Sequence, residues 1–91
     1  MGRRKRFNDI LEIPKEIYTN IPNFIITGFE DMIIENYKGI LEYEDYYVRV
    51  NTYIGIVNIH GTNLRLEKMT EDNIKIIGKI ESIEIERTLD S

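Results

Sequence analysis

The stretch "IKIIGKIESIEIE" (residues 74–86) decides the fold. Successive side chains of a strand point to opposite faces, so an apolar–polar alternation marks one buried and one wet face. Ile74, Ile76 and Ile80 occupy even positions, and Ile83 and Ile85 take over at odd ones. A strand that changes parity needs an extra residue, which places a bulge or corner near Glu81–Ser82. The same alternation recurs in "VRVN" (48–51), "NLRLEK" (63–68) and "SIEIE" (82–86).

Working outward, period two holds from Asn23 onward. The candidate strands are Phe24–Gly28, Met32–Asn36, Gly39–Glu42, Tyr46–Asn51, Ile54–His60, Asn63–Glu67, Ile74–Gly78 and Ile80–Glu86. Turn residues separate them: "FED" near residue 30, "NYKG" at 36–39, "ED" at 44–45, "HGTN" at 60–63 and "TEDN" at 70–73. Connections this short exclude parallel crossovers, which need about a dozen residues. The expected fold is therefore all-β: a small antiparallel meander curled into a sandwich or partly open barrel. A β-solenoid competes, because "ITG", "IHG" and "IIG" recur, although at unequal spacing.

Composition agrees. Alanine and glutamine are absent and isoleucine supplies about a fifth of the chain, which favours strands over helices. Ninety-one residues suffice for one domain and leave little room for a deep cleft. Cysteine is absent, so neither disulfides nor thiolate chemistry is available. No apolar run approaches the ~20 residues of a membrane-spanning helix, and the basic start lacks the apolar core of a signal peptide.

Three segments follow: a basic, partly helical lead-in over 1–22, a β domain over 23–87 and a tail over 88–91. In the lead-in, Phe7, Ile10 and Leu11 share one helical face, and Pro14 suits the first turn of a short helix through Lys15–Thr19 that Pro22 ends. Residues 1–15 carry net charge +3 and the remainder −7, summing to −4. That balance disfavours nucleic-acid binding by the body. The cluster Arg3, Arg4, Lys5 and Arg6 has two readings: a solubilising terminus, or a contact with an anionic membrane surface or a partner.

Residues that could carry chemistry are few. Glu30, Asp31, Glu35, Glu42, Glu44 and Asp45 are dense, and strand alternation puts Glu42 and Glu44 on one side. Paired carboxylates serve glycoside hydrolysis and metal sites, but they need a pocket that a short meander does not promise. Glu44–Asp45 reads as a hairpin tip. His60, the only histidine, precedes Gly61 and reads as a turn residue; the serines, Ser82 and Ser91, lie in no nucleophile-elbow sequence. The scattered glycines form no phosphate-binding run. No catalytic residue, metal ligand or cofactor is therefore assigned. Tyr37, Tyr43, Tyr46 and Tyr47, beside acids, suit contacts with a protein better than base stacking, which needs a positive groove.

The order of motifs resembles the YabP/YqfC family of sporulation proteins, its YqfC branch in particular. The lead-in carries "IP" twice (Ile13–Pro14, Ile21–Pro22), followed by "ITG" at Ile26–Gly28 and "IEN" at Ile34–Asn36 with Gly39 beyond. Then come "GIVNIHGTNLRLEKM" with Gly55, Gly61 and Leu64, and "IKIIGKIESIEI" with Gly78 and Lys79. The resemblance spans about residues 12 to 86. It implies a non-enzymatic assembly or adaptor role in building the spore envelope in the mother cell, in the cytoplasm or peripherally at the membrane around the forespore. The implied partner is a protein, with the membrane-associated sporulation protein YqfD as the candidate, besides a second copy of the chain. The alternative is a β module that binds a small ligand or carbohydrate, and a hydrolase using Glu35, Glu42 or Glu44 ranks last.

Overall fold

The computed structural model describes residues 19–88; the lead-in before Thr19, with all of the expected helical segment but its last residue, lies outside them. Six strands follow one another: β1 (Asn23–Thr27), β2 (Asp31–Glu35), β3 (Tyr37–Glu44), β4 (Tyr47–Thr52), β5 (Gly55–Met69) and β6 (Asn73–Arg87). They form one sheet in the order β1-β2-β6-β5-β4-β3, with every neighbouring pair antiparallel.

Three expectations are corrected. The meander curled into a sandwich or partly open barrel gives way to a single open sheet that is no simple meander: β6 rather than β3 pairs with β2, and the edge strands, β1 and β3, do not pair with each other. The solenoid fails because its neighbours would run parallel. Eight strands become six, because Lys79 is no break and "HGTN" is not a turn: the chain continues from Gly78 to Ile80 within β6 and from His60 to Leu64 within β5. Two irregularities absorb its turn-like residues. The β5–β6 register shifts between His60 and Gly61 and again between Thr62 and Arg65, where Asn63 adopts a left-handed φ of 54°. The first shift skips Glu81, the extra residue that the parity change of the isoleucines requires.

"NYKG" is likewise no four-residue turn. Asn36 alone links β2 to β3, at φ 63°, a conformation that asparagine tolerates better than most residues. Its backbone N–H donates to the Asp72 carbonyl at 2.6 Å, and its side-chain amide donates to the Ile21 carbonyl at 3.0 Å. This explains the asparagine of "IEN": one residue ties β2, the β5–β6 turn and the lead-in together.

That link bends the long β5–β6 ribbon. Tyr37 pairs with Thr52 at the open end of the ribbon, while its hydroxyl donates to the Thr70 carbonyl at the turn end. Fifteen extended residues span roughly 50 Å, so the two ends meet only if the ribbon bends between them. The bend lies at Gly61 and Gly78. A side chain on Gly61 would run into the Lys79 carbonyl, and one on Gly78 into the backbone of Asn63 and Leu64. Both short hairpins dock there: Gly61 donates to Tyr46 O and Leu64 to Asp45 O, while Gly78 donates to Glu30 O and Ile80 to Phe29 O.

One face of the sheet is the core. Met32 and Ile34, Val48 and Val50, Val57 and Ile59, and Ile74 and Ile76 are buried, each pair from one strand and two residues apart. Register joins them across strands: Ile34 to Ile74, Met32 to Ile76, Val50 to Val57 and Val48 to Ile59. Leu64, carried inward by the bulge, is also fully buried.

Candidate functional site

Polar side chains gather on the other face, where β3, β4, β5 and β6 run side by side. Arg49 of β4 stands at the centre, beside Glu42 of β3 and Asn58 of β5 in the register. Its guanidinium meets the Glu42 carboxylate at 3.1 Å and the Glu86 carboxylate at 3.6 Å, and its Nε donates to Asn58 Oδ1 at 3.0 Å. Asn58 donates in turn to Glu86 Oε2 at 2.6 Å, so it is satisfied although almost fully buried. The hydrogen bond to Glu42 raises the Arg49 pKa above its ordinary value, and so do the nearby Tyr47 and Glu86 charges, against the opposing effect of burial.

One step along β4 and β5, the Tyr47 ring lies against the His60 imidazole, with centroids 4.7 Å apart. The Tyr47 hydroxyl donates to Asn58 Oδ1 at 3.4 Å, and His60 Nε2 lies 3.5 Å from Glu84. His60 is thus a mid-strand residue paired with Tyr47 and Ser82, not the expected turn residue. Its cross-strand neighbours are the Tyr47 ring, Ser82 and the nearby Glu84 carboxylate.

The acids of residues 30–45 do not converge. Asp31 and Glu67 both lie 3.3 Å from the Lys75 ammonium, at the other end of the sheet from Glu42. Hydrogen bonds to Asp31 first and Glu67 second raise the Lys75 pKa. Glu44 and Asp45 sit exposed at the β3–β4 tip, as expected of a hairpin turn. Among the described residues no three His, Asp or Glu side chains are placed to share a metal ion. The array is a ladder of charge-assisted hydrogen bonds across strands, suited to holding strand register and presenting a polar surface.

The four candidate tyrosines separate. Tyr37 is a core residue, 7% exposed, so it cannot contribute its ring to a surface contact. Tyr47 is half-buried in the polar array. Tyr43 and Tyr46, at 47% and 62% exposed, project at the β3–β4 tip. Arg3, Arg4, Lys5 and Arg6 lie outside the described residues. Sequence reasoning missed Arg49, Asn58, Glu84 and Glu86, because they come from three strands and only pairing brings them together.

An apolar slot of about 260 Å³ opens beside β1, lined by Phe24, Ile54, Val57 and Ile85 with Arg87 at its margin. It is smaller than the ~300–1,000 Å³ of ordinary small-molecule sites.

No solved structure matches the chain. The chain is 27% identical over 88 residues to "Uncharacterized protein YqfC" of Bacillus subtilis (strain 168), an alignment covering 91% of this chain and 95% of that one. The family model described as "YabP family" matches residues 19–90, a span that contains all six strands, the Asn36 link and both bend glycines. By that match the chain belongs to the YabP family.

Proposed function

We propose that the protein is a non-enzymatic assembly or adaptor component of spore formation, acting through protein contacts close to a membrane. Family membership supports the sporulation part of this reading. The observation that carries the contact part is the β3–β4 tip, where Tyr43 and Tyr46 stand exposed beside Glu44 and Asp45. Tyrosine offers large contact area at little rotamer cost, and it is enriched in interface cores. The carboxylates, by contrast, face bases or solvent rather than a cleft.

The test is site-specific photo-crosslinking in sporulating cells, with the probe at Tyr46 and a control probe at Glu71 on the far turn. The expected result is an adduct with one envelope protein, YqfD being the candidate, from Tyr46 alone. Equal labelling from both positions, or normal spores from a Tyr43→Ala/Tyr46→Ala chain, refutes it. The membrane part is tested by flotation with anionic vesicles at low and high salt. Neutralising Arg3, Arg4, Lys5 and Arg6 should abolish flotation at low salt.

The apolar slot favours a second reading, a module for a small apolar ligand. A ligand at a hundred times its Kd would add ~2.7 kcal/mol of stability, which a thermal-shift screen detects.

A further inference from the structure

The apolar side chains left in water are unevenly placed. Ile21, Phe24, Ile25, Ile26 and Phe29 are all exposed, and all lie on or beside β1. β1 is also an edge strand: β2 pairs with one side of it, and no strand pairs with the other among the described residues. Natural sheet edges are protected by charges, prolines or bulges. The opposite edge, β3, is protected, with Lys38, Glu42 and Glu44 along it and two register shifts within it. β1, "NFIIT", has a regular register and no charge.

We propose that β1 is a homotypic interface, on which a second copy of the chain lays its own β1 antiparallel about a two-fold axis at Ile25. The occupant follows from the strand's self-complementarity. Such pairing sets Ile25 opposite Ile25, Phe24 opposite Ile26 and Asn23 opposite Thr27, so apolar meets apolar and polar meets polar. It brings no like charges together, although each chain carries net −4. The five exposed side chains offer roughly 400 Å² per copy, or about 800 Å² in all, below the ~1,200 Å² of a standard specific interface and in the range of weak, transient ones. The dimer is therefore reversible and concentration-dependent, and the two sheets become one continuous sheet. This deepens the assembly reading, on which its role in the cell rests.

The chain has no cysteine, so the geometry can be read by crosslinking. Directly opposed residues of an antiparallel pair have Cα atoms about 4.5–5.5 Å apart, within disulfide range. In the full-length protein, Ile25→Cys should oxidise to a covalent dimer, whereas Leu41→Cys, equally exposed on the β3 edge, should not. Ile25 faces away from the core, beside Ile33, so Ile25→Lys should leave the fold intact. It should raise the dissociation constant at least about a hundredfold in sedimentation runs from about 1 to about 300 µM.

A wild-type chain that stays monomeric throughout, an unchanged Ile25→Lys dimer, or equal crosslinking at Leu41→Cys overturns the proposal. So does an Ile25→Cys thiol that bonds instead to one introduced at Ile10 of its own chain. A monomer that still gives the Tyr46 adduct in cells overturns the dimer and leaves the assembly reading standing; a dimer without any adduct does the reverse.

Discussion

Replacing Gly78 by alanine tests the bend on which the core depends. Gly78 has φ 127°, a conformation that L side chains rarely adopt. Holding a residue with a Cβ there costs about 1–3 kcal/mol. The new methyl would also sit 2.5 Å from the Asn63 carbonyl oxygen and 2.8 Å from Leu64 Cα. Both are backbone atoms, so no rotamer change relieves the clash, and forced overpacking adds about 1–3 kcal/mol more. A total of roughly 2–6 kcal/mol compares with ~5–14 kcal/mol for the whole fold of a chain this long. At about 4–8 °C per kcal/mol, Tm should fall by at least ~8 °C.

Gly39→Ala is the control. Nothing lies within 4 Å of its would-be Cβ, and the expected change is within about 0.5 kcal/mol. Urea unfolding followed by circular dichroism, with tyrosine fluorescence as a second probe, measures both variants. If Gly78→Ala matches the wild type, or Gly39→Ala falls as far, the bend is not set by backbone contact at Gly78 and the reasoning fails.

Three further outcomes are expected. The Thr52 hydroxyl, almost fully buried, donates to Gly55 O and accepts from the N–H groups of Ile54 and Gly55, so Thr52→Val should cost about 1–3 kcal/mol in urea melts. Tyr37→Phe removes the bond to Thr70 O and should cost about 1 kcal/mol, whereas Tyr46→Phe at the exposed tip should change stability by less than about 0.5 kcal/mol. Lys75 has a folded pKa above its unfolded one, so its ion pairs with Asp31 and Glu67 stabilise the fold below the ordinary lysine pKa. That contribution is lost as pH rises through the raised value; Lys75→Met should therefore flatten the alkaline limb of a stability–pH curve above about pH 10.

Much of the fold is legible locally. The isoleucine parity change located the Glu81 bulge, and the turn signals near residue 30, at 44–45 and at 70–73 fall at or beside the observed tips. "HGTN" misled because glycine and asparagine permit two things at once, a reversal or a bulge. Which one forms depends on what lies across the ladder, and here Gly78 supplies room for the chain to continue. Tyr37 misled similarly: it reads as one of a surface cluster, yet its position after the single-residue Asn36 link carries it inside.

The amino-acid order alone determined strand content, the antiparallel sense of pairing and the apolar side of β2 and β4, but not that β6 rather than β3 pairs with β2. Those are properties of neighbours along the backbone, where alternation and turn chemistry act within a few residues. Tertiary structure decided that four expected strands fuse into two long ones, that Arg49 gathers Glu42, Asn58 and Glu86, and that β1 is the unprotected edge. Each depends on partners far apart in the chain, which no local preference specifies and only the pairing of distant strands brings together.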